Sequence, residues 1–336
     1  MGGGQVSDLS DWRVLVTGGS GFIGTNLIGR LQLEGTDLVN IDVRPPRAPG
    51  QQIGWHKADL LDRAAVTKQI EQFRPTHIVH LAARTDLHGK DVRDYAVNTA
   101  GTRWLMQAAA GVSPPPRVIL TSSRMVCEIG YQPEDEMDFR PPNPYGASKV
   151  EMEVEARRSD YPGCWLIVRP TSIWGPWFEV PYLNFFLAVA RGRYLHPRGA
   201  RILKSFGYVE NTIEQLLGLL AADSGAVNSR MFYLADYKPL EVGEWARLIS
   251  AATRGPKVRS SPLLPLRGAA AIGTLLQRLG WSEPPLTLFR LRNLMTEMIY
   301  DLEPVRAHAP DLPFPLEEAV DRTARWLTGS GYLHDG

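Results

Sequence analysis

The segment PPNPYGASKVEME, residues 141–153, sets a tyrosine and a lysine four positions apart directly after a proline. Asn143 can cap a helix and Pro144 suits its first position, which predicts a helix from 144 with Tyr145 and Lys149 one turn apart on one face. An ammonium beside a phenol favours the phenolate, lowering a reference pKa of about 10 toward the range of a working general base. Upstream, TSSRM (121–125) closes an apolar run, so Ser123 is expected at the end of a strand, where α/β sheets place their ligands. Its hydroxyl can then bond the same substrate oxygen that Tyr145 protonates or deprotonates. The spacing alone is weak, since two solvent-facing residues would look the same, and the surrounding motifs supply the rest.

The first of these is VTGGSGFIG, with Gly18, Gly21 and Gly24 spaced as G-x-x-G-x-x-G and Phe22 and Ile23 between the last two. It closes one predicted strand and opens a predicted helix, so backbone N–H groups and the positive helix end can approach a pyrophosphate without a Cβ in the way. Asp42 ends the next predicted strand where a ribose-binding carboxylate belongs, which favours NAD over NADP, although Arg44 leaves room for a 2′-phosphate.

The elements that must hold these residues alternate. Short β-branched runs at 13–18, 37–42, 54–62, 77–83, 117–123 and 164–170 are separated by helical stretches near 22–35, 62–73, 91–110 and 144–158. That rhythm predicts a Rossmann-type α/β fold, a doubly wound parallel sheet with helices on both faces. It breaks after Pro170 into aromatic, proline-rich connections. The expected organisation is a dinucleotide-binding domain over 9–170, rejoined by 204–238 with a late strand at 230–236. A smaller C-terminal substrate-binding lobe takes 171–203 and 239–330, and residues 1–8 read as a disordered leader. Charge is balanced, with 37 Lys+Arg against 36 Asp+Glu, which argues against a nucleic-acid partner or an anionic membrane. No apolar run nears the roughly 20 residues of a membrane span, and two cysteines without a secretory leader suit a reducing cytoplasm.

Together these motifs resemble the extended short-chain dehydrogenase/reductase family, in its NAD-dependent nucleotide-sugar epimerase and dehydratase branch. ADL (58–60), HLAA (80–83), VNTAGT (97–102), TSS (121–123), PYGASK (144–149), RPTSIWGP (169–176), SFGYVENT (205–212) and LEEAVDRTARW (316–326) fall in the family's order. The resemblance implies that Asp59 and Leu60 flank an adenine and that Ala82 and Ala83 lie along NAD. Asn98 and Pro170 join the cofactor set, and Lys149 binds the nicotinamide ribose. Ser123, Tyr145 and Lys149 form the catalytic set. The implied reaction is C4 epimerisation of a UDP-sugar through a 4-keto intermediate, the alternatives being a nucleotide-sugar 4-ketoreductase, a hydroxysteroid-dehydrogenase-like oxidoreductase or a redox-inactive dinucleotide sensor. It hints at surface-polysaccharide metabolism, and family members commonly form homodimers through the helices at 91–110 and 144–158.

Departures from the pattern bear on the substrate. Arg124 and Met125 stand where 4,6-dehydratases carry an Asp-Glu pair, so dehydration is disfavoured. Ser172 replaces an asparagine, VCE (126–128) replaces V-Y-G, and Lys204 stands where sugar-diphosphate enzymes often have arginine, without its bidentate fork. Arg84, with Thr85 and Asp86, follows a strand end and can line a pocket; with Ser123, Arg124, Ser172 and Lys204 it makes up the expected substrate contacts. His77 and His80 read as packed rather than catalytic, no metal-ligand spacing occurs, and Cys127 reads as a structural thiol. The aromatic cluster from Trp174 to Phe186 reads as either lobe core or a wall for a base. EMEVEARR (151–158) reads as a solvated helix face.

Overall fold

A computed structural model of the protein describes residues 9–281, 284 and 286–333, so the expected leader lies outside the described residues. Its larger unit comprises residues up to Ile173 together with Gly207–Asp236 and Asp301–Pro313. Six strands and four helices carry the site. In chain order they are β1 (Arg13–Thr17), α1 (Phe22–Leu33), β2 (Asp37–Asp42), β3 (Trp55–Lys57), α2 (Arg63–Phe73), β4 (His77–His80), α3 (Ala96–Ala110), β5 (Arg117–Thr121), α4 (Pro144–Arg158) and β6 (Trp165–Pro170). With the strand Met231–Leu234 they form one seven-stranded sheet ordered 231–234, β6, β5, β4, β1, β2, β3. Each pairing along it is parallel. The order reverses beside β1, so the ends of β1 and β4 flank the crevice where such sheets bind ligands.

Central strands buried on both faces must be apolar throughout, and they are: Val14, Leu15 and Val16, Ile78 and Val79, Val118 to Leu120 and Leu166 to Val168 have no exposed surface. Leu105 of α3 and Met152 of α4 close over the sheet in the same core. The expected helix at 91–110 is preceded by a 3₁₀ turn, Val92–Tyr95, whose Asp91 and Asp94 form a capping box.

The smaller unit, Trp174–Phe206 with Tyr237–Tyr300 and from Phe314 on, is built on helices and, among the described residues, two short strand pairings, 203–204 with 240–241 and 195–197 with 259–261. Its core is aromatic. Trp174, Phe178, Phe186 and Trp245 are at most 2% exposed, and Phe185 stacks on Trp245 with ring centroids 4.7 Å apart. Of the two readings of the cluster, Trp174, Phe178 and Phe186 take the core one. No described helix is long and apolar enough to cross a membrane.

Candidate active site

Gly18 leaves β1 with φ of +72°, and a side chain there would put its Cβ 2.5 Å from the Ala82 nitrogen. Only glycine meets both demands. A Cβ on Gly24 would collide with the Gly18 carbonyl oxygen, so the turn and the first turn of α1 lie backbone to backbone. Phe22 and Ile23 begin α1, and its N-cap Gly21 contributes no side-chain cap. The positive end of a twelve-residue helix is therefore left for an anion. Asp42, 7% exposed at the end of β2, holds the turn as well: its carboxylate accepts Ser20 N at 3.0 Å and Arg44 N at 2.9 Å. Carboxylate oxygens have acceptor capacity beyond these two bonds, as a ribose hydroxyl needs. Leu60 is buried after β3 and Asp59 accepts Leu61 N at 2.9 Å, while Ala82 and Ala83 follow β4. The strained glycine turn, the side-chain-free helix end and the carboxylate fit a dinucleotide.

On the neighbouring strand ends, α4 begins as its sequence requires. Asn143 Oδ1 accepts Gly146 N at 2.9 Å, and Pro144 occupies the first position. Gly146 is pressed against the Met125 carbonyl so closely that no Cβ would fit. That contact brings the Tyr145 phenol beside Ser123, whose hydroxyl accepts Met125 N at 3.1 Å. One turn on, Lys149 Nζ donates to Thr121 O at 2.8 Å. Asn98, fully buried on α3, ties the loop after β4 to α4: it accepts Arg84 N at 2.8 Å and donates to Arg84 O at 3.0 Å and to Ser148 Oγ at 2.9 Å. Pro170 ends β6.

Burial governs both ionisable partners. It pushes the Tyr145 phenol up, opposed by the Ser123 hydrogen bond and the Arg124 guanidinium. The sequence expectation that Lys149 lowers the phenol does not hold: burial raises it, Lys149 turns its ammonium to the Thr121 carbonyl, and the opposing charge is that of Arg124. Burial likewise lowers Lys149 to about 8, with the Glu153 carboxylate pulling the other way. A lysine so lowered changes charge near neutral pH.

Glu153 corrects the reading of 151–158 as a solvated face. Met152, Glu153 and Ala156 are all buried, because Tyr145, Lys149 and Glu153 repeat every four residues and turn the same way, onto the sheet. Glu153 accepts from Arg169 Nε at 2.9 Å and Nη2 at 2.8 Å, neither side chain having any exposed surface, and from Ser122 Oγ at 2.5 Å. Arg169 Nη2 and Nη1 also reach Glu136 O at 2.7 Å and Tyr233 Oη at 3.2 Å. The available signals were the four-residue step beyond Lys149 and an arginine inside the apolar run CWLIVRP.

The remaining expected contacts scatter. Arg84 makes a two-pronged pair with Asp86, at 2.7 and 3.1 Å, and lies over the Tyr95 ring. Ser172 opens the buried strand Ser172–Trp174. Lys204, in the smaller unit, is 2% exposed; its ammonium donates to the Asn293 carbonyl at 2.8 Å and to that of Thr296. His80 is 1% exposed between Thr17 and Thr102, with ring nitrogens 2.7 and 2.8 Å from their hydroxyls, and burial holds it down at about 3. His77 stacks on Trp12 and is lowered to about 4 by burial. Burial raises the Cys127 thiol, which suits a structural role. Among the described residues no cluster of three or more His, Cys, Asp or Glu could hold a metal.

Residues 14–228 match the family model described as NAD dependent epimerase/dehydratase family. Over 274 residues the chain is 30% identical to a 3 beta-hydroxysteroid dehydrogenase/Delta 5-->4-isomerase of Mycobacterium tuberculosis, covering 74% of this chain and 72% of the relative. It is 33% identical over 182 residues to a UDP-glucose 4-epimerase of Mycolicibacterium smegmatis, covering 49% and 57%. The fold matches a UDP-glucose 4-epimerase of Thermus thermophilus solved with NAD, at a TM-score of 0.67 and 20% identity over 95% and 99% of the two chains. The family model over residues 14–228 and the relative at 30% identity, on a fold with this glycine turn and parallel sheet, place the chain in the NAD-dependent epimerase/dehydratase family, as an enzyme of the extended short-chain dehydrogenase/reductase type.

Proposed function

We infer that the enzyme interconverts a secondary alcohol and a ketone, and the observation that carries this reading is the buried Tyr145 phenol beside Ser123, with Lys149 one turn below it on α4. When bound, NAD supplies or accepts the hydride. Tyr145 takes the hydroxyl proton in the oxidising direction and returns it in the reducing one. Ser123 donates to the same oxygen, the Arg124 charge keeps the phenol from rising further, and Lys149 binds the nicotinamide ribose. Asn98 fixes the distance between the loop after β4 and α4.

The substrate class favoured is an apolar hydroxy or oxo compound. Two facts support it: the relative at 30% identity acts, by its name, on 3 beta-hydroxysteroids, and the one cation expected to meet a sugar diphosphate, Lys204, is turned to backbone carbonyls. C4 epimerisation of a UDP-sugar is the second reading, supported by the 33% relative and requiring the same Tyr145 chemistry. Arg124 and Met125 offer no acid and base pair for elimination, which leaves dehydration out of both. A homodimer through α3 and α4 belongs to either reading; on that face Arg103 bonds Glu155 at 2.9 Å beside a groove of about 360 Å³ lined in part by Met106, Ala110 and Tyr161.

The test supplies NAD with a 3 beta-hydroxysteroid or with UDP-glucose. Net NADH formation with the steroid, lost about a hundredfold or more in Tyr145→Phe while NAD affinity stays within about twofold, is expected. Exchange of UDP-glucose and UDP-galactose without net NADH would put the second reading first. Turnover undiminished in Tyr145→Phe sinks both.

A further inference from the structure

In the smaller unit, the helix Leu263–Arg278 is apolar on two opposite faces. Leu266, Ala270 and Gly273 face inward, and Leu266 and Ala270 form a small core with Leu291 of the helix Leu288–Met295. Leu264, Ile272, Leu275 and Leu279 are 79%, 62%, 57% and 75% exposed. At 3.6 residues per turn these four fall within an arc of about 80°, opposite the buried face. After the helix, Trp281 is 50% exposed and Leu288 and Phe289 are 47% and 69% exposed. Among the described residues, seven of the seventeen large apolar side chains that are exposed lie between 264 and 289, four of them on one stripe of the helix, a concentration beyond the ordinary scatter of single residues.

Charge says what covers it. From Arg254 to Met295 the sequence holds Arg254, Lys257, Arg259, Arg267, Arg278, Arg290 and Arg292 against the single acid Glu283, a net +6 in a chain whose total is +1. Arg267 and Arg278 fall together on one flank of the exposed stripe, between it and the buried face. An antiparallel two-fold pairing of this helix with a second copy would set these arginines against one another. An apolar stripe edged by guanidinium groups instead matches an anionic bilayer: apolar side chains enter the acyl boundary and the cations meet lipid phosphates.

We propose that the helix Leu263–Arg278 docks the enzyme on the surface of an anionic membrane without spanning it. The test uses the full chain and sedimenting vesicles of pure phosphatidylcholine or of phosphatidylcholine with 30 mol% phosphatidylglycerol. Binding to the anionic vesicles is expected to be at least tenfold stronger, to fall at least fivefold in 0.5 M NaCl, and to be lost in Ile272→Glu/Leu275→Glu and in Arg267→Glu/Arg278→Glu. Both double variants should keep the wild-type melting temperature within a few degrees and the wild-type turnover of a water-soluble substrate, since the exposed side chains hold nothing in place. Equal binding to both vesicle types, or anionic binding that survives Ile272→Glu/Leu275→Glu, overturns the proposal. So does absence of vesicle binding together with a lower particle mass in that variant by light scattering, which would assign the patch to a protein contact.

Discussion

Glu153→Gln removes one charge from a pair that water does not reach. Arg169 keeps Glu136 O and Tyr233 Oη but loses the carboxylate that accepts at 2.9 and 2.8 Å. Breaking one side of a buried pair costs about 3–5 kcal/mol, and because glutamine's amide oxygen retains one acceptor the loss should lie near about 3 kcal/mol. Against a whole-domain stability of roughly 5–15 kcal/mol the variant should still fold. It should also act on the centre. Burial lowers Lys149 to about 8 while Glu153 opposes that shift, so withdrawing the carboxylate and leaving Arg169 uncompensated moves Lys149 lower still. The limb of the pH–rate profile that reports the ammonium then shifts to lower pH. The assay is urea unfolding and a pH–rate profile for Glu153→Gln, Arg169→Met and the double variant Glu153→Leu/Arg169→Met. The double variant should lose less stability than either single, because an apolar pair of similar volume leaves no orphaned charge. Additive losses, or a Glu153→Gln protein within about 0.5 kcal/mol of wild type with an unmoved profile, would refute this account.

Further expectations concern the turn, the phenol and the buried histidine. Gly18→Ala forces a side chain into φ of +72° against the Ala82 backbone, and NAD affinity by calorimetry should fall at least tenfold; a change within twofold would show that the turn relaxes. Arg124→Met removes a charge that pulls the Tyr145 phenol down, so the rising limb of alcohol oxidation should move to higher pH, whereas an unmoved limb would assign Arg124 elsewhere. His80, held at about 3 by burial, is neutral when folded and binds a proton below about 6.5 when unfolded, so its contribution to stability is lost as pH falls from 6.5 toward 3. Between pH 6.5 and 4 that amounts to about 3 kcal/mol, and His80→Gln should shrink the wild-type loss over this interval by a similar amount in urea titrations.

The strands were legible because each carries its own signal. DLVNID is β2 from end to end, and the cap Asn143 with Pro144 marks the start of α4 to the residue. Gly18 and Gly146 were visible as motif letters, but the reason for them, backbone contact with Ala82 and with Met125, exists only in three dimensions. Glu153 was misread because charge in a helix ordinarily means solvent, and its partner Arg169 comes from a strand sixteen residues away. Lys204 looked like a phosphate ligand because a sequence shows the charge and not the carbonyls of Asn293 and Thr296 that receive it. Nothing in Asp301–Pro313 announces that it belongs with the larger unit. The near-neutral total concealed the basic stretch from Arg254 to Met295, since a sum over 336 residues averages a local excess away.

The pressing of Gly146 onto the Met125 carbonyl has a consequence for how such an enzyme can diverge. Tyr145 sits next to a contact of main chain against main chain, Gly146 on the Met125 carbonyl. Those two positions can therefore exchange side chains while the phenol stays where it is, so an Asp-Glu pair and the Arg124-Met125 found here are interchangeable cartridges in one rigid holder. New chemistry beside an old tyrosine then needs two substitutions and no new fold.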